Sequence, residues 1–169
     1  NIDAEESNGL VPNEKWKLGY IGEFWFKGDS INLGIGQGYM LSTPIQISQA
    51  IAVIANRGEI IKPRLVEEID ESPTELESLG KINLKDETNW EKIEKSMIEV
   101  INAPNGTANN IKDTRYVIAG KTGTAQIKSY EDQEYEDIRE NPFFRDHALF
   151  VGYAPVSYTH LTLPTIYSV

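Results

Sequence analysis

The chain contains no cysteine, so disulfide bonds and thiolate metal sites are excluded. Its two histidines, His147 and His160, lie outside the usual metal-ligand spacings, and we predict no metal and no other cofactor. No apolar run is long enough to span a membrane, and no signal peptide is visible. Positive charge is also scarce, and the net charge of -10 argues against nucleic acid or an anionic membrane surface as a partner.

The overall composition is that of a globular domain. The chain has 169 residues, of which 40% are hydrophobic and 25% are charged, so a real core can form. Predicted helices and strands come in blocks rather than in strict alternation, which favours an α+β fold.

Two helices are predicted from apolar periodicity. The first covers residues 44–57, because Thr43 and Gln46 form a capping box, Pro44 suits the first turn and Gly58 suits the stop. The second covers about residues 89–101. The positions predicted to face the core are Ile47, Ala50, Ile51 and Ile54 in the first helix and Trp90, Ile93, Met97, Val100 and Ile101 in the second.

The segments around these helices carry turn, strand and surface signals. Residues 1–30 are polar and turn-rich, and the glycines of residues 34–38 indicate a tight turn rather than a dinucleotide loop, whose spacing they lack. Residues 60–66 are extended, with Pro63 confining them to a sheet edge or an irregular segment. Residues 67–89 are acidic and predict a solvated insertion.

The most informative stretch is Lys121-Thr122-Gly123-Thr124, within a predicted strand over residues 116–127. A second strand is predicted over residues 147–153, as its antiparallel neighbour. A glycine in a strand leaves room for a ligand, and a cation beside two hydroxyls suits an anionic, peptide-like one.

Two other interpretations of this stretch are open. One is a surface strand with a glycine bulge and no function. The other is a phosphate loop ending in Gly120-Lys121-Thr122, which would need a glycine where Arg115 stands and a helix directly afterwards.

Several segments, in this order, together resemble class B penicillin-binding proteins of the elongation type. The resemblance covers nearly all of residues 1–155. The segments are Gly28-Asp29-Ser30, Gly34-Ile35-Gly36-Gln37-Gly38-Tyr39, Thr43-Pro44-Ile45-Gln46, Gly106-Thr107-Ala108, residues 121–126 and residues 150–155.

The resemblance implies a fold and an activity. The fold would be the penicillin-binding transpeptidase and serine β-lactamase type, an antiparallel sheet flanked by helices, incomplete in this chain. The family's activity is that of a D,D-transpeptidase anchored at the periplasmic face of the bacterial inner membrane. A serine attacks the D-Ala-D-Ala end of a peptidoglycan stem peptide, and the acyl-enzyme then cross-links to a neighbouring stem. The implied partners are the stem peptide, β-lactam antibiotics and proteins of the cell-elongation complex.

The same resemblance assigns roles at the Lys-Thr-Gly motif. Lys121, Thr122 and Gly123 would be catalytic: Lys121 supplies positive charge and helps proton movement, Thr122 contacts the substrate carboxylate, and Gly123 keeps the strand surface clear. Thr124 would bind the carboxylate and offer its backbone N–H to the oxyanion. Two rivals remain open: a non-catalytic peptide- or β-lactam-binding module, and a serine β-lactamase of the same fold.

The family's other two motifs are matched in residue type but not in their order along the chain. Ser78-Leu79-Gly80-Lys81 fits Ser-x-x-Lys and Ser30-Ile31-Asn32 fits Ser-x-Asn, but their order is reversed. We interpret both as coincidence. The nucleophilic serine and its lysine are therefore expected outside this chain, which does not begin with Met, and these residues alone should be inactive.

The last residues behave differently from the rest. Residues 156–165 match, residue for residue, one reading frame of a widely used transposon-end sequencing adapter. We therefore expect residues 1–155 to be a partial transpeptidase domain, without its N-terminal part and without its last strand and helix, and residues 156–169 to be a non-native tail. The alternative is a native strand or loop.

Overall fold

A computed structural model of the chain describes residues 7–125, 146–154 and 167–168. The chain divides into two compact units. The first consists of Asn1–Glu6, Pro44–Thr124 and Ala148–Val169, and the second of Ser7–Thr43 and Ala125–His147.

Helices and short antiparallel strands come in blocks along the described part of the chain, as predicted. The helices are α1 (Glu14–Trp16), α2 (Lys27–Gly34), α3 (Pro44–Ala55) and α4 (Thr88–Asn102), with a π-helical segment over Lys17–Ile21 and a 3-10 turn over Asn109–Ile111. The strands are β1 (Glu59–Ile61), β2 (Glu68–Ile69), β3 (Ser72–Pro73), β4 (Ser78–Lys81), β5 (Ala119–Ala125), β6 (His147–Tyr153) and β7 (Tyr167–Ser168). They form three sheets: β1 with β4, β2 with β3, and β5–β6–β7.

Helix α3 begins at Pro44 as predicted and ends two residues early, at Ala55. Gly58 stops the helix region with a φ of +97°, and its backbone N–H donates to Val53 O at 2.8 Å. A Cβ at this position would lie 2.5 Å from Ile82 O, so only glycine fits.

The burial of α3 differs from the prediction at one point. Ile51 is buried as expected, but Ala50 is exposed and Ser48 is buried instead. The buried stripe is therefore rotated toward Ser48 by less than about a quarter of a turn, and Ile47 and Ile54 stay half-buried, so periodicity located the helix better than the centre of its inner face.

Helix α4 matches its predicted bounds within one residue and buries Trp90, Met97 and Ile101. Ile93 is 39% exposed, so its assignment to the inner face is wrong. The inner stripe runs through Glu94 instead, whose carboxylate lies 3.8 Å from the Arg57 guanidinium. A charged residue with its partner thus occupies a place that periodicity alone reserves for an apolar one.

One core cluster ties α3, α4, β5 and β6 together. Its buried members are Ile51, Met97 and Ala119, and Tyr153 packs against them. The Tyr153 hydroxyl is buried without a hydrogen-bond partner among the described residues. Burial, and then the charge of Glu94, raise the pKa of Tyr153 to about 12, so this phenol stays neutral.

The acidic segment is solvated as predicted, although it contains three short strands that the sequence analysis missed. Strand β1 ends at Ile61, before Pro63, so only the start of the predicted extended segment is a strand. Strands β2 and β3 form an exposed hairpin whose two turn residues, Asp70 and Glu71, have φ values of 51° and 63°. Both strands of this hairpin are exposed, so the turn and the hydrogen bonds of Thr74 to Val66 O and Glu67 O, rather than apolar packing, hold their pairing.

The second unit contains α1, the π-helical segment and α2, which the polar, turn-rich composition of residues 1–30 did not predict. The predicted glycine turn is confirmed, with Gly36 and Gly38 both at a φ of +74°. At the centre of the unit, Lys17 is only 3% exposed.

The Lys17 ammonium joins three parts of the second unit. It contacts an Asp29 carboxylate oxygen at 2.8 Å, and the rings of Phe26 and Tyr39 lie 4.9 and 5.8 Å from it. The backbone N–H of Phe26 donates to the same Asp29 carboxylate at 2.7 Å. The hydrogen bond from Lys17 is the main reason why the pKa of Asp29 is lowered, and the reciprocal bond raises the pKa of Lys17.

The predictions for the C-terminal tail concern residues that lie largely outside the described part of the chain, which excludes 155–166 and 169. Tyr167 and Ser168 pair antiparallel with Phe150 and Leu149. The adapter origin of residues 156–169 and the boundary at residue 155 stay predictions.

We predict that Asp29→Asn lowers the melting temperature at neutral pH, because it removes the charge that pairs with Lys17. Since the folded-state pKa of Asp29 lies below its ordinary value of 3.8, the wild-type advantage is present above that pH. It should shrink as the pH falls through the lowered pKa, in thermal unfolding followed by circular dichroism.

The matched control is the exposed Glu75→Gln, which removes one charge without touching Lys17 and should leave the melting temperature nearly unchanged. A deficit of Asp29→Asn that persisted unchanged in strong acid would mean that the carboxylate charge is not the cause.

Candidate functional site

The motif residues Lys121–Thr124 lie in strand β5, so the predicted strand is confirmed where it matters. It begins at Ala119, and the assignment of residues 116–118 to the strand is wrong; residues 126–127 lie outside the described part of the chain. Arg115 explains the late start. Its backbone N–H and its guanidinium both bind the Asp113 carboxylate, each at 2.7 Å, which bends the chain locally. The same contacts lower the pKa of Asp113 to about 2.

Strand β6 has the predicted bounds and lies against β5. The later residue Gly123 of β5 faces the earlier residue Leu149 of β6, and the earlier Ala119 faces the later Gly152. The two strands therefore run antiparallel, as predicted. This order of contacts places the motif beside the first half of β6.

Two glycines allow the close approach of β5 and β6. A Cβ at Gly120 would lie 2.4 Å from the Phe150 ring, and a Cβ at Gly152 would lie 2.6 Å from Ala119 O. A side chain at Gly152 would force the backbone of β5 to shift, and a side chain at Gly120 would displace the Phe150 ring. The Phe150 ring therefore fills the space that both glycines leave, and it fixes the register of the motif strand.

Gly123 is different, because it lies in open space. A Cβ built there would meet only Leu149 Cβ, at an ordinary contact distance of 3.9 Å. Its neighbours Lys121 and Thr124 are exposed, and Thr122 is half-buried. The described structure therefore leaves this stretch of strand accessible to a ligand.

Two contacts organise the motif side chains. The Lys121 ammonium donates to the backbone carbonyl of Thr122 at 2.6 Å. The Thr122 hydroxyl lies 3.1 Å from the hydroxyl of Thr107, fifteen residues earlier. Alternation along a strand puts Thr122 and Thr124 on one face and Lys121 and Gly123 on the other.

Thr107 is the functional candidate that sequence reasoning missed. It belongs to Gly106-Thr107-Ala108, one of the segments that carry the resemblance, but no role was assigned to it. Its loop is fastened to the end of α4: the Ala108 N–H donates to Val100 O at 3.0 Å, and the Asn109 amide donates to Ile101 O at 2.9 Å.

The segments that match Ser-x-x-Lys and Ser-x-Asn in sequence make other contacts in the fold. Ser78 and Lys81 lie on β4, paired with Ile61 and Glu59, so no helical turn brings them together as Ser-x-x-Lys requires. Gly80 between them has a φ of +124°. Ser30 lies on α2, where its hydroxyl accepts a hydrogen bond from the Trp25 indole at 2.8 Å.

The geometry of β5 agrees with comparisons to known proteins. The family profile of the penicillin binding protein transpeptidase domain matches residues 2–165. The chain belongs to this transpeptidase family. The peptidoglycan D,D-transpeptidase MrdA of Acinetobacter baumannii is 36% identical over 167 residues, which is 96% of this chain and 25% of that protein.

Solved structures support the same fold. Pseudomonas aeruginosa PBP2, in complex with WCK 5153, superposes with a TM-score of 0.76 at 37% identity, over 96% of this chain and 34% of that chain. PBP2 from Helicobacter pylori, in complex with MreC, gives a TM-score of 0.71 at 28% identity, over 96% and 26% of the two chains. The penicillin-binding transpeptidase fold predicted from the sequence is thereby confirmed.

The chain spans about a quarter of the length of the curated relatives it matches, 25% for the Acinetobacter protein. Within the described residues, no helix combines the length and the apolar character needed to cross a bilayer. The same residues contain no group of three or more His, Asp or Glu that could hold a metal ion.

We predict that Gly152→Ala destabilises the protein by roughly 1–3 kcal/mol, because the new methyl group would press on Ala119 O. Urea unfolding measures the loss. Gly123→Ala is the matched control and should change stability by less than about 0.5 kcal/mol, since its methyl group enters open space. Equal losses in the two variants would contradict the close packing of β5 on β6.

Proposed function

We propose that this chain is part of a peptidoglycan D,D-transpeptidase that cross-links stem peptides through a serine acyl-enzyme and is a target of β-lactams. The observation that carries the proposal is the accessible β5 motif, a cation and two hydroxyls beside an open glycine. Such a strand suits an extended peptide that ends in a carboxylate, because backbone and side-chain donors lie along one line.

Each motif residue then has a role that its position supports. Thr122 and Thr124 hydrogen-bond the terminal carboxylate of the stem peptide from their shared face. Lys121 supplies positive charge, exchanging its bond to Thr122 O for contacts in the occupied site, and helps proton movement at the nucleophile. A charge-assisted contact of this kind contributes about 1.5–3 kcal/mol. Gly123 leaves room for the peptide backbone.

The backbone N–H of Thr124 is proposed as one half of the oxyanion hole. In the reaction, the serine oxygen bonds to the penultimate D-Ala carbonyl and the terminal D-Ala leaves with a proton. An amine of a second stem peptide then displaces the serine. One oxyanion donor contributes about 2.7–4 kcal/mol to the transition state, but without the nucleophile it produces no turnover.

The nucleophilic serine and its lysine are proposed to lie outside these residues, in a longer parent protein. The strand position of Ser78 and Lys81 and the occupied hydroxyl of Ser30 support this. The parent would act at the periplasmic face of the inner membrane, with cell-elongation proteins as partners. The solved complex of the Helicobacter relative with MreC is consistent with a partner of that kind.

Two other functions on this fold are separated by one experiment on the parent. A β-lactamase would hydrolyse nitrocefin with many turnovers. A transpeptidase would be acylated once, and the acyl group would leave its serine only slowly. A non-catalytic binding module would form no covalent adduct.

We predict that this chain alone forms no covalent adduct with a fluorescent penicillin, because the nucleophile is missing, whereas the parent is labelled. Gel fluorescence after denaturation measures the adduct. Labelling of the chain alone, lost in Ser78→Ala, would make Ser78 the nucleophile and overturn the proposal.

In the parent, we predict that Lys121→Ala slows acylation by about 10- to 100-fold, the equivalent of one charge-assisted contact. Lys81→Ala is the matched control, because Lys81 is an exposed lysine on β4 outside the motif, and it should leave the acylation rate unchanged. Stopped-flow fluorescence with a labelled penicillin measures both rates. Normal acylation of Lys121→Ala would leave Lys121 with a structural role only.

A further inference from the structure

Thr107 lies outside the motif strand but contacts one of the motif side chains. It is an exposed residue, yet its hydroxyl lies 3.1 Å from the hydroxyl of Thr122 in the proposed carboxylate site. Within the described residues, this is the contact that brings a side chain from outside β5 to a motif side chain.

The loop that carries Thr107 is rigidly fixed on both sides. Gly106 lies so close to α4 that a Cβ there would be 2.3 Å from Val100 O, and its N–H donates to Ala103 O at 2.9 Å. On the other side, Ala108 is 4% exposed and its N–H donates to Val100 O at 3.0 Å. The Asn109 amide, which donates at 3.0 Å to Ala103 O, closes the loop. Thr107 is thus held against β5 by the end of the helix.

In the hydrogen bond between the Thr107 and Thr122 hydroxyls either oxygen can be the donor, but a carboxylate bound to Thr122 would fix the direction. A carboxylate only accepts hydrogen bonds, so the Thr122 hydroxyl must donate to it. The Thr122 oxygen is then free to accept, and Thr107 is the donor at 3.1 Å. A hydroxyl that accepts one bond becomes a better donor in the next, so the relay strengthens the contact with the carboxylate.

We propose that Thr107 is a positioning residue for the transpeptidase reaction, which orients the Thr122 hydroxyl toward the carboxylate of the stem peptide or β-lactam. This inference rests on the proposed function and adds a residue to it. Thr107 acts through Thr122 and touches no reacting atom.

The test uses the parent protein and two probes that differ only at the carboxylate: benzylpenicillin and its methyl ester. Thr107→Val keeps the shape and removes the hydroxyl, and Thr107→Ser restores the hydroxyl. We expect Thr107→Val to lower the second-order acylation rate of benzylpenicillin by about 3- to 10-fold, the equivalent of one neutral hydrogen bond. The rate with the ester should be unchanged, and Thr107→Ser should lie close to wild type.

A double variant gives an independent readout. If Thr107 acts through Thr122, then Thr107→Val combined with Thr122→Val should be no slower than Thr122→Val alone. Should Thr107→Val fail to fold, Thr107→Ala replaces it in both comparisons.

Equal loss with both probes, or full additivity in the double variant, would overturn the positioning role. So would an unchanged rate of Thr107→Val with benzylpenicillin in a parent that is acylated normally. Failure of the wild-type parent to be acylated at all would instead overturn the proposed function, and this inference with it.

Discussion

The close approach of β5 and β6 is the constraint on which the rest of the first unit depends. Gly120 and Gly152 leave no room for a side chain, and the Phe150 ring fills the space between them. Because the strands cannot slide without forcing a side chain into that space, the register of the motif is fixed. The core residues Ala119 and Val151 on the same strands then meet Met97 of α4.

The ligand-binding character of β5 depends on a second element, the end of α4. The loop after this helix returns to the helix carbonyls through Ala108 and Asn109, and this return delivers Thr107 to Thr122. A site on an exposed strand is thus supported from behind by a helix terminus. Such support matters for binding, because a preorganised hydroxyl loses less freedom when the ligand arrives.

Sequence reasoning succeeded where the signal is local. The bounds of β6, the type of α3 and α4 and the stop at Gly58 follow from residues that are neighbours in the chain. It failed where a distant partner decides. Glu94, which lies 3.8 Å from the Arg57 guanidinium, takes the inner place that periodicity assigns to Ile93, and the buried Lys17 pairs with Asp29. No spacing rule joins Thr107 to Thr122, whose contact exists only once α4 has packed.

The exposed hairpin of β2 and β3 is independent of the core that supports the motif strand. Asp70 and Glu71 hold its turn in a conformation that glycine or asparagine adopts more easily, at a cost of about 1 kcal/mol or more. Because both strands are solvated, a change in turn length would move no apolar side chain into water. The length and the charge of this hairpin can therefore change without disturbing the packing that holds the motif strand.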